Sequence, residues 1–167
     1  MSNSEPAYFQ MEKNEEFELN TIEDYKRMAK STYKAGKGFY SISLRCIDMI
    51  LSEYNDQVCT NIAFSCELFL KSIIFEKGID CRKQHDLYQL YNLMSDNDKD
   101  AIKKLHKSGN IRKEDFELDL KEIGKAFIVL RYSYERKRMA YNLQFLIELL
   151  ISLNEYCKEI FENKNII

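Results

Sequence analysis

The sequence predicts an all-α protein, a bundle of four long helices and two short ones, and three observations favour this fold. With one proline and five glycines among 167 residues, the chain has few of the residues that form tight turns between the many short strands of a β-sandwich or β-barrel. Apolar residues recur at steps of three and four along several long segments, which is the periodicity of one helix face. Hydrophobic residues make up 45% of the chain and charged residues 31%, a balance typical of a globular domain with its own core.

The chain is expected to form one domain, since domains usually hold about 100–200 residues. Residues 1–18 are polar and acidic without a sustained period, and we expect them to form a flexible N-terminal arm. Residues 19–163 carry all the periodic segments, and no internal repeat or long linker divides them. These residues are therefore predicted to form a single helical bundle domain.

The first long helix is predicted to start at Asn20, where Glu23 follows three residues later as in a capping box. Its apolar face continues to Met49, and two glycines, Gly36 and Gly38, lie inside it. Each glycine costs about 1 kcal/mol relative to alanine within a helix. We therefore expect a bend or a break near these glycines.

The second long helix, residues 58–77, is apolar over most of its circumference and is expected to be the central helix of the bundle. Gly78 follows it and tolerates the left-handed conformation that ends many helices. Two short helices are predicted next, over residues 85–94 and 98–107, the second of them capped by Ser95.

Two further long helices complete the predicted bundle. The earlier one carries the most regular apolar stripe in the chain and is expected to pack along its whole length. Its stripe consists of Phe116, Leu120, Ile123, Phe127, Leu130 and Tyr134. A matching stripe marks the C-terminal helix and consists of Leu143, Leu146, Leu150, Leu153, Cys157 and Ile160.

The formal net charge of −2 provides no general basic field for nucleic acid, so such binding would need a local patch. Two basic clusters occur, Lys99, Lys103, Lys104, His106, Lys107, Arg112 and Lys113 in one and Arg131, Arg136, Lys137 and Arg138 in the other. Acidic residues interrupt both clusters, and a solvated helix face is the plainer interpretation of each.

The cysteines and the hydropathy pattern bear on location and cofactors. The five cysteines are an odd number without CxxC spacing, so we expect reduced core thiols and neither a metal site nor another cofactor. No export signal and no uncharged 18-residue segment is apparent. A cytoplasmic protein that does not contact the membrane is therefore expected.

Three local patterns occur in a fixed order along the chain. They are Glu67-x-x-x-Lys71 on the central helix, His85-Asp86-Leu87 with Leu90 after it, and Arg131-Tyr132 followed by Glu135. Together, over about residues 20–162, they resemble the HEPN family. This resemblance implies an antiparallel helical bundle that commonly dimerises.

The HEPN family also contains ribonuclease toxins whose active site is an arginine and a histidine separated by four to six residues. That motif is absent here, because Arg82 precedes His85 with only two residues between them and no arginine lies five to seven positions before His106. The absence of this arginine–histidine motif favours a noncatalytic protein. His85 and Arg131 remain the candidate catalytic residues, and helix capping with packing is the plainer role for His85.

The family-matched positions Glu67, Lys71, His85, Arg131 and Tyr132 are the predicted ligand-binding residues. Glu67 and Lys71 are spaced i, i+4, so a simple intrahelical ion pair worth about 0.2–0.5 kcal/mol is the alternative. Arg131 lies beside an apolar stripe and needs a partner if half-buried, either a carboxylate of the chain or a bound phosphate or carboxylate.

The central helix has a second apolar side formed by Phe64, Leu68 and Phe75. A helix of a monomeric bundle needs only one such side, so these three residues are predicted to form a homodimer interface. The alternative is that the N-terminal arm or the segment 99–107 covers them.

The expected function is a noncatalytic dimeric module that binds a partner protein or a nucleotide-like or phosphate-like anion. The family resemblance implies a bacterial defence or toxin–antitoxin setting, with a nucleotidyltransferase or another protein as partner. The alternative function is a divergent, metal-independent HEPN ribonuclease that cleaves RNA with Arg131, Tyr132, His85 and Glu67.

Overall fold

The computed structural model describes residues 18–106, 113–132 and 142–162, and within these residues the chain is helical without strands. The helices are α1 (Ile22–Arg45), a 3₁₀ helix (Ile47–Leu51), α2 (Asn55–Glu76), α3 (Leu87–Asn92), α4 (Asp96–Leu105), α5 (Lys113–Glu122), α6 (Ala126–Arg131) and α7 (Leu143–Phe161). The predicted all-α class is confirmed. The predicted arm, residues 1–18, lies outside the described residues except for its last position.

The N-cap of α1 lies one residue later than the sequence predicted. Thr21 is its N-cap, the Thr21 hydroxyl accepts from the backbone N–H of Asp24, and the Asp24 carboxylate accepts from the backbone N–H of Thr21. The capping box is therefore built from Thr21 and Asp24, not from Asn20 and Glu23.

Helix α1 runs through Gly36 and Gly38 without the predicted break. Gly36 lies against α2, where a β-carbon at this position would meet the ring of Phe69 at 3.0 Å. The Ser65 hydroxyl donates a hydrogen bond to the Gly36 carbonyl at 2.9 Å. The predicted break is therefore absent, and Gly36 instead lets the two helices approach closely.

Helices α1 and α2 are antiparallel neighbours. Phe39 of α1 contacts Phe64 of α2, whereas Tyr33, earlier on α1, contacts Phe69, later on α2. A residue earlier on α1 therefore contacts a residue later on α2, which shows that the two helices run in opposite directions.

Helix α2 is the centre of the bundle, as predicted, and packs against α1, α3, α6 and α7. Its C-terminus has the glycine geometry expected from the sequence, with Gly78 at φ 76°. The Ile79 N–H donates to the Ile74 carbonyl and the Gly78 N–H donates to the Phe75 carbonyl, which together form a Schellman motif.

Within the described residues, α2 is also the one helix long and apolar enough to cross a membrane. However, 78% of its most apolar stretch is buried inside the protein. The hydrophobic surface of α2 is thus covered by the chain's own helices, as in the core helix of a soluble domain.

The third predicted long helix is broken into α5 and α6, which corrects the expectation of four long helices. The break centres on Gly124, whose carbonyl accepts the N–H of Leu87 at 2.7 Å. A β-carbon at Gly124 would lie 2.7 Å from a carboxylate oxygen of Asp86. The apolar period continues across the break because both halves pack on the same core, so periodicity alone could not locate it.

Helices α3, α4 and α7 begin at side-chain caps. The Asp86 carboxylate accepts from the N–H groups of Tyr88 and Gln89 and so caps α3, a role that the sequence interpretation had offered to His85. The Ser95 hydroxyl caps α4, as predicted, and the Asn142 side chain caps α7.

Candidate functional site

Three of the site residues predicted from the sequence, Glu67, Lys71 and His85, lie together in the structure. Glu67 and Lys71 lie one turn apart on α2, and the Lys71 ammonium is 2.9 Å from the Glu67 carboxylate oxygen Oε1. The same oxygen lies 2.8 Å from the ring nitrogen Nδ1 of His85, in the loop that connects α2 to α3. A single carboxylate oxygen therefore joins the ammonium and the imidazole.

This carboxylate is inside the protein. The Glu67 side chain is 1% exposed and the Lys71 side chain 8% exposed. The Lys71 ammonium also donates to the backbone carbonyl of Arg82 at 3.0 Å, which ties the loop to α2. The second Glu67 oxygen, Oε2, is buried and has no hydrogen-bond partner among the described residues.

The intrahelical ion pair of Glu67 and Lys71 is present, as the alternative interpretation predicted, but an energy of a few tenths of a kcal/mol applies to exposed pairs and not to one this deeply buried. Removing one member of a buried pair leaves an uncompensated charge and costs about 3–5 kcal/mol. The pair is therefore a fixed part of the core beneath His85.

His85 is held on one side and open on the other. Its side chain is 48% exposed, although Nδ1 faces the buried Glu67 carboxylate. The Gln84 side chain accepts from the backbone N–H groups of His85 and Asp86 and so stiffens the turn. Within the described part of the chain, no group forms a hydrogen bond with the outer ring nitrogen, Nε2.

The loop forms an open groove of about 480 Å³, called here the 80–84 groove, lined by Asp80, Cys81, Arg82, Lys83, Gln84 and Leu93. The Arg82 guanidinium pairs with the Asp80 carboxylate at 2.7 Å. Lys83 is exposed and forms no ion pair with a described residue. Lys83 was missed by the sequence interpretation, although it stands two positions before His85.

Cys81 adds no reactive thiol to the groove. Its side chain is buried, and burial raises the pKa of the Cys81 thiol to about 12, although the Lys71 ammonium acts in the opposite direction. A thiol rather than a thiolate is therefore present at neutral pH, and a thiol is a poor nucleophile. All five cysteines are free, in accordance with the expectation of reduced thiols.

Arg131 and Tyr132 lie apart from Glu67, Lys71 and His85. The Arg131 guanidinium is 5.8 Å from the ring centroid of Phe127 and 5.5 Å from that of Tyr132, at the C-terminal end of α6. Both Arg131 and Tyr132 are exposed. No ion pair joins Arg131 to a carboxylate in the described ranges.

The course of α6 explains this separation. Gly124, just before α6, contacts Asp86 beside His85, and Phe127 stacks on Phe64, a turn before Glu67 on α2. Helix α6 thus runs from the His85 loop towards the N-terminal half of α2. The predicted ligand-binding residues therefore form two separate groups, and Glu135 with the basic residues 136–138 falls outside the described residues.

The three predicted dimer residues pack largely against the chain itself. Phe75 is 2% exposed. Phe64 is half-buried, with its ring 4.6 Å from the Phe39 ring and stacked at 4.5 Å on the Phe127 ring. Leu68 is half-buried beside Gly36. Among the described residues, α1 and α6 pack on Phe64 and α1 lies beside Leu68, so the second apolar side does not by itself require another copy.

The described residues contain no group of three or more His, Cys, Asp or Glu side chains arranged to hold a metal ion. The arrangement at the loop is instead a half-exposed imidazole fixed to a buried carboxylate, beside an exposed ammonium. Such an arrangement can bind an anion when the imidazole is protonated, or accept a proton when it is neutral.

The comparisons with known proteins identify the family. No curated protein and no solved structure matches the chain. A model of the HEPN domain matches residues 22–162, a range that begins at the first residue of α1 and ends one residue after α7. Because this match spans far more than half of the 167 residues, the chain belongs to the HEPN domain family.

Proposed function

We propose that this protein is a noncatalytic HEPN module that binds a phosphate-bearing anion, such as a nucleotide, at the loop between α2 and α3, where His85 directly follows Gln84, a residue that lines the 80–84 groove. The observation that carries the proposal is the position of His85, whose Nδ1 is fixed by buried Glu67 while the ring remains half-exposed. Lys83 supplies an exposed ammonium two residues away. Protonated imidazole and ammonium groups are both suited to phosphate oxygens.

Glu67 and Lys71 act through His85 in this proposal. Their side chains are almost completely buried, so a ligand in the groove would not reach them. Arg131 and Tyr132 form a separate exposed contact, in which two aromatic rings hold the guanidinium. A planar, pre-oriented guanidinium suits a second phosphate or a base of an extended ligand.

The binding proposal is tested with inorganic phosphate and AMP in thermal-shift and calorimetric titrations. We expect binding by the wild-type protein and at least a tenfold loss in the His85→Gln and Lys83→Ala variants, since about 1.4 kcal/mol corresponds to tenfold. Lys104→Ala removes an exposed lysine on α4 and serves as the charge-matched control. An unchanged melting temperature at millimolar concentrations of both ligands would refute the proposal.

The Glu67–His85 hydrogen bond also favours a second function, metal-independent RNA cleavage with His85 as general base. Such cleavage needs a second proton-transfer group near the leaving oxygen. The other histidine, His106, is 3% exposed at the end of α4, and the Cys81 thiol is protonated. The noncatalytic proposal therefore has more support. Equal, negligible cleavage of labelled RNA by the wild type and by His85→Ala would rule out the ribonuclease function.

A homodimer remains part of the proposed function, on a surface adjacent to the predicted one. Ile42 on α1 and Ile128 on α6 are 48% and 41% exposed, and each lies within three residues along the chain of a phenylalanine whose ring packs on Phe64. We place the second copy on this α1–α6 surface. Light scattering should give a dimer mass for the wild type and a monomer mass for Ile128→Lys, and a strictly monomeric wild type at micromolar concentration would end the dimer proposal.

The biological setting is proposed from family membership alone. A role in bacterial defence or a toxin–antitoxin pair, with a nucleotidyltransferase or another protein as partner, agrees with a small module that binds an anion without altering it. Co-purification of the tagged chain with the products of its neighbouring genes would test this part.

A further inference from the structure

We propose that the turn between α1 and α2, residues 44–56, is a docking surface for a basic amphipathic helix of another protein. Such a helix carries leucine-like side chains on one side and lysines or arginines on the other. The 44–56 turn lies at the N-terminal end of α2, whereas the proposed anion site lies at its C-terminal end, and the 22 residues of α2 span about 33 Å. The surface is therefore distinct from the anion site, and its role does not depend on the proposed function.

The 44–56 turn exposes four large apolar side chains. Leu44, Met49 and Tyr54 are 41%, 40% and 49% exposed, and Leu51 is 95% exposed. Leu51 is thus the most exposed large apolar side chain in the described part of the chain. Single apolar residues are ordinary on a protein surface, whereas a group of them marks an interaction site.

Local structure holds these side chains in place before a partner arrives. In the 3₁₀ helix, Ile47 and Ile50 are three residues apart and share one face, which packs on the core. The residues on either side of Ile50 therefore face away from the core, and both are exposed. The Ser52 hydroxyl donates to the Met49 carbonyl and accepts from the Tyr54 N–H, which closes the turn. Because the surface is ordered in advance, little conformational freedom is lost on binding.

The charges on the same turn indicate the chemistry of the partner. Asp48, Glu53 and Asp56 contribute three carboxylates, against the one guanidinium of Arg45. Asp48 and Glu53 are exposed and Asp56 is half-buried. No ion pair joins these carboxylates to another residue within the described ranges. Lysines or arginines of a partner are their natural counterparts.

The apolar and acidic groups together fit an amphipathic helix. Its apolar side packs on Leu51 and Tyr54, which is how amphipathic helices dock on the apolar surface of a partner. Its cations then face Asp48 and Glu53. Tyrosine is enriched among the interface residues that carry most of the binding energy, so Tyr54 is a suitable anchor.

The carboxylates of the turn disfavour other occupants. A second copy that met the turn about a two-fold axis would place the same carboxylates opposite one another. Residues 1–17 carry four glutamates and one lysine, so like charge opposes their docking. The same repulsion applies to nucleic acid and to an anionic membrane surface.

The test uses a labelled synthetic peptide of leucine and lysine at helical spacing, about 18 residues long so that it can form a helix. A matched peptide carries glutamate in place of lysine. Fluorescence anisotropy with the full chain should show binding of the lysine peptide and at least about tenfold weaker binding of the glutamate peptide. Backbone amide shifts should change at the 44–56 turn, and added salt should weaken binding by screening the exposed charges.

Variants of the turn assign the binding to named side chains. Leu51→Ser should lose at least about tenfold in affinity for the lysine peptide. Because Leu51 is 95% exposed, this variant should keep the wild-type melting temperature. The double variant Asp48→Asn with Glu53→Gln should bind more weakly and with less dependence on salt. Leu118→Ser removes a leucine of α5 that is 58% exposed, and it should bind as the wild type does.

Three results would overturn the docking surface: no binding of the lysine peptide at millimolar concentration, equal affinity in the wild type and Leu51→Ser, or equal affinity for the two peptides. A wild-type dimer that becomes a monomer in Leu51→Ser would assign the turn to a second copy instead. Phosphate titration of Leu51→Ser should match the wild type, so failure at this turn is distinguishable from failure at the anion site.

Discussion

The imidazole nitrogen Nε2 of His106 lies 3.4 Å from a carboxylate oxygen of Glu148, yet neither ring nitrogen has a hydrogen-bond partner among the described residues. The His106 ring sits at the end of α4 between the aromatic rings of Phe116 and Phe145. Burial in this apolar setting lowers the pKa of His106, although the carboxylates of Glu148 and Asp119 act in the opposite direction.

Stability should therefore fall as the solution becomes acidic. The unfolded chain takes up a proton at this histidine below about pH 6.5, whereas the folded protein does so only at lower pH. The contribution of neutral His106 is complete above pH 6.5 and is lost as the pH falls through that value, by up to about 1.4 kcal/mol for each pH unit. Urea denaturation at pH 7.5 and pH 5.5 should show a smaller difference in His106→Leu than in the wild type.

The comparison removes the effect of other titrating groups, because both proteins share them. Identical losses of unfolding free energy between pH 7.5 and pH 5.5 in the wild type and in His106→Leu would contradict this prediction.

Loss of the Lys71 ammonium should strongly destabilise the fold. In Lys71→Met, the Glu67 carboxylate stays buried without its cation, which should lower the free energy of unfolding by about 3–5 kcal/mol. The double variant Glu67→Leu with Lys71→Met should recover much of this loss, since two apolar side chains can replace a buried ion pair.

The matched control for Lys71 is Lys37, which pairs with Glu162 at 2.6 Å near the end of α7 with both side chains more than 40% exposed. Lys37→Met should cost no more than about 1 kcal/mol, as is usual for exposed pairs. Urea denaturation of the wild type, the two single variants and the double variant tests the prediction. Equal losses of unfolding free energy in Lys71→Met and Lys37→Met would contradict it.

Two glycine-to-alanine substitutions should have opposite effects. Gly124→Ala would place a β-carbon 2.7 Å from the Asp86 carboxylate and disturb the cap of α3. Gly38→Ala meets nothing within 4 Å and lies on an exposed part of α1, so it should stabilise the protein by about 0.5–1 kcal/mol. Thermal denaturation should give a lower midpoint for Gly124→Ala and a higher one for Gly38→Ala, and the opposite order would be incompatible with the described packing.

The hydroxyl of Tyr156 should stabilise the contact between α7 and α4. It donates to the Asp98 carboxylate at 2.6 Å, and Asp98 is only 3% exposed. Hydrogen bonds to charged groups contribute about 1.5–3 kcal/mol, so Tyr156→Phe should lower the unfolding free energy by that amount. Tyr88→Phe, on a partly buried tyrosine of α3, provides the control, and a loss no larger than in that variant would argue against the role of the hydroxyl.

The fold class and the central helix could be predicted because they depend on the local spacing of apolar residues. The C-terminal end of the central helix depends on a glycine that can adopt a positive φ. Gly78 ended α2 as expected, since a positive φ is a local requirement. The break between α5 and α6 was missed because Gly124 accepts a hydrogen bond from Leu87 and leaves no room for a β-carbon beside Asp86, and both relationships join distant parts of the chain. Local patterns do not contain such contacts.

The candidate site divides in the same way. Glu67 and Lys71 could be placed together because their spacing puts them on one helix face. The sequence patterns added His85 to them, and the structure gives the distance that joins all three. Arg131 was assigned to the same cleft only by its order in the chain, and the course of α6 carries it to another place.

The hydrogen bond from Leu87 to the carbonyl of Gly124 anchors the segment after His85 to the turn between α5 and α6, while Glu67 and Lys71 anchor the loop to the core helix. The histidine is thus held between α2 and the turn that precedes α6. Rotation of α6 relative to α2, for example when another molecule binds to the outer side of α6, would therefore shift the His85 ring through this turn.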